Sequence, residues 1–226
     1  MEELKHTEEL TLPAVDPEQR EAALRRAPVL GKWLWVLFWL VVPGTIAGIL
    51  TMDAFEETAF YTFGTVLNAV CTLAYGFILL KMSDVCGHYR TACICMVVSA
   101  AGNAAVELIW EDGSPTWVLL PLVLLAIAAL AGVYREYLGH SEMLEGVDGE
   151  LAEKWRKLWK WYIISFAVTI GGIFAALISP VLAIFVVLGG AIAAVVVSIL
   201  KLVYLYRTAN VFRALAEEVE GAEDGI

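Results

Sequence analysis

The chain has 226 residues, 60% of them hydrophobic, and a formal charge of −10. Soluble domains carry about 45–50% apolar residues, so this composition excludes an ordinary soluble protein. The acidic excess excludes a nucleic-acid partner, whose phosphates require Lys and Arg. Six spans of about 20 residues use roughly 120 positions, which leaves no room for a separate soluble domain. The expected class is all-α: a polytopic membrane protein of six transmembrane helices, with the lipid bilayer as its main partner.

Residues 1–30 form an acidic tail. Within it Asp16, Pro17 and Gln19 stand at N-cap, N1 and N3, and Pro28 supplies a stop, so a short helix is expected over 17–27. The membrane domain is expected over 31–206. Span 1 (32–52) opens on Trp33, Trp35 and Trp39, which suit a membrane interface, and carries a kink site at Pro43-Gly44. An acidic turn leads to span 2 (59–81), which ends on Lys81. A loop with Asp84, Cys86, His88 and Arg90 precedes span 3 (91–110), and the turn Glu111-Asp112-Gly113-Ser114-Pro115 precedes span 4 (117–134).

Span 4 closes on Tyr134-Arg135, and residues 136–156 are expected as the longest loop. Toward its end Leu151, Trp155, Leu158 and Trp159 share one face of a helix. Span 5 (158–178) and span 6 (181–205) are joined by Ser179-Pro180. The tail 207–226 is expected to stay helical, with Phe212, Leu215, Ala216 and Val219 as an apolar stripe and Gly221 as its stop.

Charge fixes an orientation. With both termini inside, all 15 Lys and Arg fall on one side, and the loops assigned to the outside have none. Positive residues near span ends are retained in the cytoplasm, so the expected topology is N-in/C-in and multi-pass in the plasma (inner) membrane of a prokaryote. Arg90, Arg135 and Arg207 read as inner anchors whose stems snorkel to the interface. Asp53, Glu56, Glu57, Glu111 and Asp112 form an outer acidic rim, which attracts cations or simply solvates the surface. No cleavable signal peptide is visible.

Polar groups inside spans need a partner or water. Thr65, Asn68, Thr72 and Tyr75 lie on one face of span 2, and Ser99, Asn103 and Glu107 lie on one face of span 3. Asn68 and Asn103 fall at nearly equal depth in antiparallel neighbours. These faces read either as interhelical hydrogen-bonding glue or as a polar path opening outward, with Glu107 near its mouth.

The chain also resembles itself. At an offset of 124, Leu34/Leu158, Trp35/Trp159, Thr45/Thr169, Ile46/Ile170, Gly48/Gly172 and Ile49/Ile173 coincide. Tyr89-Arg90-Thr91-Ala92 recurs as Tyr206-Arg207-Thr208-Ala209. Repeated two-helix hairpins are one reading, and the limited alphabet of apolar helices is the other. Gly and Ala in spans 5 and 6 permit close helix packing, within the bundle or in a homo-oligomer.

The four cysteines are expected to be free, and Cys86-Gly87-His88 and Cys93-Ile94-Cys95 have the wrong spacing for standard zinc pairs. No metal or cofactor is expected, and no phosphate loop or nucleophile motif occurs. Three functions are weighed: permeation of a small solute or cation between spans 2 and 3, a non-transporting scaffold that binds a partner through the 212–219 stripe or the 136–156 loop, and a membrane enzyme. The enzyme requires a pocket that gathers His88, Cys86 and acidic residues.

Overall fold

The computed structural model describes residues 17–51, 55, 58–109 and 119–223. Among them every regular element is a helix: α1 (Pro17–Leu50), α2 (Ala59–Met82), α3 (Gly87–Ile109), α4 (Leu119–Leu144), α5 (Gly149–Ala175) and α6 (Pro180–Glu223). Each helix packs on the next in the chain, and α6 packs back on α1, so the six close into a ring. All of them except α5 are long and apolar enough to cross a membrane. α5 differs because Glu150, Glu153, Lys154, Arg156, Lys157 and Lys160 crowd its first half. Large apolar side chains such as Phe63, Leu73, Leu124, Ile184 and Phe185 stand exposed around the outside. A soluble monomer does not tolerate so extensive an apolar surface, and the fold is that of a helical membrane protein.

Packing is uneven along the ring axis. Leu30, Leu34, Leu37, Leu79, Met82, Tyr89, Leu144, Trp155, Leu158, Leu205 and Phe212 are fully buried, and all lie toward the end that carries the α2–α3 and α4–α5 turns. We call this the basic end, because Lys and Arg gather there. The opposite half holds few fully buried side chains. The ring is thus plugged at one end and looser at the other.

Three sequence expectations change. α1 runs unbroken through Pro28 and Pro43, so the helix expected over 17–27 does not end at Pro28. Proline removes one backbone hydrogen bond, but Ala27 and Leu30 beside it are fully buried, and this packing holds the helix through the gap. Residues 136–156 are not a long loop: α4 continues to Leu144, and only 145–148 connect it to α5. Gly146 makes the turn at φ +84, where other residues are strained. Asp148 Oδ1 accepts the Leu151 amide at 2.9 Å and caps α5. Finally, α6 continues past Gly221, since glycine permits a stop without imposing one.

At about 1.5 Å per residue, the 34 residues of α1 and 44 of α6 reach beyond the rest of the ring at the basic end. They do so as a pair. Phe212 is buried, and its backbone oxygen would lie 3.1 Å from a Cβ at Gly31, so a side chain there would press the two helices apart by a few tenths of an ångström. Arg213 sits over the Trp35 ring at 4.8 Å, and Arg20 pairs with Glu218 at 3.1 Å. Leu215 and Ala216 pack against the core too. Phe212, Leu215 and Ala216 of the apolar stripe are therefore turned toward the fold.

The self-similar segments agree in part. Leu34 and Leu158 are both buried, and Thr45 and Thr169 each donate to the carbonyl four residues back, at 2.8 and 3.0 Å. The Tyr-Arg-Thr-Ala copies differ: Tyr89 is buried where Tyr206 is exposed, and Thr208 is buried where Thr91 is exposed.

Candidate functional site

A cleft of about 500 Å³ occupies the looser half of the ring. Leu40 and Val41 from α1, Met96 from α3, and Ala129 and Val133 from α4 give it mainly apolar walls. Asn68 and Thr72 on α2 and Ser99 on α3 add polar points. Tyr75 and Lys201 form its floor, the level nearest the plugged end.

Lys201 would be costly in hydrocarbon without a counter-charge, and α4 supplies one. Glu136 has no exposed surface, and its Oε1 lies 2.9 Å from Lys201 Nζ. The Tyr75 hydroxyl donates to the same oxygen and accepts from Lys201 at 3.1 Å. The ammonium also lies 5.4 Å from the ring centres of Tyr75 and of Tyr137, where the π faces offer negative charge. One turn further along α4, His140 is equally buried, with Nε2 3.6 Å from Glu136 Oε1. Its Nδ1 shares a hydrogen bond of 2.9 Å with the Tyr89 hydroxyl. With the phenol as donor, the proton of the neutral ring sits on Nε2 and faces Glu136. Trp155 covers the imidazole at a ring separation of 4.5 Å and donates to Thr208 Oγ1 at 3.0 Å.

The site therefore joins α2, α3, α4 and α6 through one carboxylate. Tyr75, Lys201 and His140 all converge on Glu136 Oε1, while Glu136 Oε2 and His140 Nε2 are buried without a hydrogen-bond partner among the described residues. Such groups are costly to leave unmet. The chemistry available is proton exchange at Glu136 and His140, and charge recognition by Lys201.

A second cluster lies outside the cleft, at the turn before α3. His88 Nε2 pairs with Glu142 Oε2 at 2.9 Å, and His88 Nδ1 meets Arg135 Nη1 at 3.3 Å. The Cys86 thiol donates to Glu142 Oε2 at 3.8 Å. Here Cys86, His88 and an acid do gather, as the enzyme reading required, but the order is wrong for a nucleophile. A reactive thiol needs its base adjacent, whereas Glu142 stands between the two. Burial pushes the Cys86 thiol up from its ordinary value and the Glu142 charge adds to this, outweighing backbone hydrogen bonds that pull it down. That is the opposite of what a thiolate catalyst needs.

Of the residues read as a polar path, Asn68, Thr72, Tyr75 and Ser99 meet in the cleft. Thr65 is spent on the Tyr61 carbonyl at 3.0 Å. Asn103 donates to Ser99 on its own helix at 3.4 Å and does not line the cleft. Glu107 belongs to α3, but its side chain lies outside the described residues, as do Asp53, Glu56, Glu57, Glu111 and Asp112. Arg90 and Arg207 are exposed, and Arg135 is tied to His88. Among the described residues no cluster of His, Cys, Asp and Glu could hold a metal ion.

No protein-family model, no curated protein and no solved structure matches this chain. Its function must be argued from the site alone.

Sequence reasoning found Tyr75 but missed the charged residues that meet it at the floor of that site. Lys201 falls inside span 6 (181–205) without being singled out, and Glu136 and His140 fall in a supposed loop. The spacing held a signal: Glu136, His140 and Leu144 recur every four residues, which is one helical stripe continuing span 4.

Proposed function

We propose that this protein is a six-span membrane protein with both termini in the cytoplasm, and that it permits a small solute to cross by way of the cleft. The observation that carries the reading is the compensated Lys201–Glu136 pair at the floor of a mostly apolar cleft. Ionisable groups placed inside a membrane bundle mark solute or proton pathways, and pockets of this size with few polar points suit small ligands.

In this reading α5 is the sixth span, crossing with its apolar second half from Trp161 while its charged first half stays in the cytoplasm. The plasma membrane is the expected location, on the charge asymmetry of the loops. The two matching buried leucines and the two matching threonines support an origin in duplicated hairpins. A lysine at the floor favours a small solute over a cation. The partner-binding alternative is less favoured at the 212–219 stripe, where Phe212 is buried and Leu215 and Ala216 pack against the core.

The test is efflux from vesicles that contain the full chain, loaded in turn with glycerol, L-lactate or choline. At least one solute is expected to leave faster than from protein-free vesicles, and Thr72→Trp, which fills the cleft, to slow it. Efflux no faster than from protein-free vesicles for all three would overturn the reading.

A further inference from the structure

We propose that Glu136 and His140 form a proton-binding site coupled to a small monocarboxylate site on Lys201, so that the cleft takes up one proton and one monoanion together. This rests on the permeation reading and names its substrate class.

The argument begins with charge. Lys201 and Glu136 sum to zero, and a lone monoanion entering the cleft would leave one negative charge uncompensated in a low-dielectric interior. Burying an unpaired charge is strongly unfavourable. A proton arriving with the anion restores neutrality, and the fold places a basic group where that proton is needed. With the neutral ring's proton on Nε2, facing the carboxylate across 3.6 Å without a hydrogen-bond partner among the described residues, the basic nitrogen is Nδ1, which takes the proton once the Tyr89 hydroxyl, 2.9 Å away, turns from donor to acceptor. Glu136 Oε2, the carboxylate's second oxygen, also has no hydrogen-bond partner among the described residues. The proton binds the ring as imidazolium, with Nδ1 and Nε2 both carrying hydrogen, and no covalent bond is broken.

The geometry supplies the coupling. Glu136 Oε1 is already shared by Tyr75, Lys201 and the edge of His140. An imidazolium would draw the carboxylate toward α4's own turn, and Lys201, which already borders the cleft, would turn its ammonium to the arriving carboxylate. The ionisable groups that face the pair from the surrounding helices are Tyr75 on α2, Tyr89 on α3, Tyr137 on α4, Tyr162 on α5 beyond Tyr137, and Lys201 on α6. α1 contributes Leu40, Val41 and Thr45 to the cleft. Among the described residues that face the pair, Lys201 is thus the one cation able to answer an anion. The apolar walls above it suit a short hydrocarbon tail, and the chemistry selects a carboxylate with a small apolar body.

The experiment uses the full chain in nanodiscs with ¹⁵N-labelled histidine. The three histidines are His6, His88 and His140, and His6→Gln and His88→Gln assign the signals. The His140 protonation midpoint is measured alone, with sodium butyrate, and with the neutral isostere butyramide. Linkage is reciprocal, so butyrate is expected to raise the proton affinity of His140 about tenfold. Butyramide is expected to leave it unchanged, Lys201→Arg to retain the butyrate effect and Lys201→Met to lose it. A midpoint indifferent to butyrate, or equally moved by butyramide, overturns the proposal, and this comparison needs no variant of the site to fold. The measurement is made at equilibrium, so its failure leaves permeation standing, whereas absent efflux with an intact butyrate effect removes permeation and leaves the site.

Discussion

Lys201 Nζ and Glu136 Oε1 lie 2.9 Å apart on α6 and α4, with Glu136 wholly buried and Lys201 24% exposed through the cleft. The two partners therefore differ in their freedom to escape. The lysine can turn toward the cleft, while the carboxylate has nowhere to go.

That asymmetry predicts unequal costs. Removing one partner of a buried ion pair typically costs roughly 3–5 kcal/mol. Glu136→Gln should fall at the low end, because Lys201 can reorient. Lys201→Met should cost more, up to the point where Glu136 takes a proton. The double variant Glu136→Gln/Lys201→Met should recover most of the loss, since no unpaired charge remains. Denaturation of the four proteins in mixed micelles gives the cycle. Additive losses would show that the two side chains are not coupled.

Trp155 and Thr208 provide a neutral counterpart. Both are buried, and the indole donates to Thr208 Oγ1 at 3.0 Å. Thr208→Val keeps the shape and strands the indole N–H, which should cost about 1–3 kcal/mol. Thr208→Ser keeps the acceptor and should cost less than half as much. Thermal unfolding of the two variants decides between this and a purely steric role, in which serine would be the worse substitution.

The contrast between these pairs and the sequence reading has a physical origin. The apolar runs locate the six helices, because hydropathy is local, but not their polar ends: α1 begins at Pro17, α4 continues to Leu144 and α5 begins at Gly149, outside the apolar stretches. The face formed by Leu151, Trp155 and Leu158 is legible for the same reason, and all three are buried. Asn68, Thr72, Tyr75 and Ser99 are legible as cleft residues, since a polar face in an apolar span needs somewhere to point. The Lys201–Glu136–His140 cluster is not. Lys201 stands far in the chain from Glu136 and His140, and each has an ordinary local reading as a span-end or loop residue. Only ring closure brings α2, α4 and α6 to one point. Pro28 misleads for a related reason: its local rule predicts a stop, and the packing of Ala27 and Leu30 overrides it.

The Cys86 thiol gives a pH-dependent readout. Burial and the Glu142 charge hold it above the ordinary thiol value, so the reactive thiolate forms only at higher pH. Maleimide labelling of Cys86, with Cys71, Cys93 and Cys95 replaced by serine, should be slower at neutral pH than for a small free thiol. It should continue to climb above about pH 8.5, where a free thiol is half ionised. Glu142→Gln removes one upward influence and should speed labelling. The linkage has a fixed sign: a raised thiol favours the folded state at low pH, and this contribution fades as pH rises from the ordinary value through the raised one. Labelling as fast as that of the free thiol would show that Cys86 is not shielded.

Gly189 and Gly190 are neighbours on α6 with opposite surroundings. A Cβ at Gly190 would lie 2.5 Å from Thr169 Oγ1 and 3.2 Å from the Thr169 backbone nitrogen, whereas a Cβ at Gly189 meets nothing within 4 Å. The hydroxyl can rotate away, but it already donates to Ser165 O at 3.0 Å, and the backbone nitrogen cannot move without displacing α5. Overpacking of this kind typically costs about 1–3 kcal/mol, against a gain of roughly 1 kcal/mol from replacing glycine within a helix. Gly190→Ala should therefore be neutral to destabilising, and Gly190→Val clearly destabilising. Gly189→Ala should be stabilising by the helical gain alone. Unfolding midpoints of the three variants in one detergent test the contrast. A Gly189→Ala protein less stable than Gly190→Ala would show that α6 presents the other face to α5, or that Gly189 is packed against a second copy of the chain.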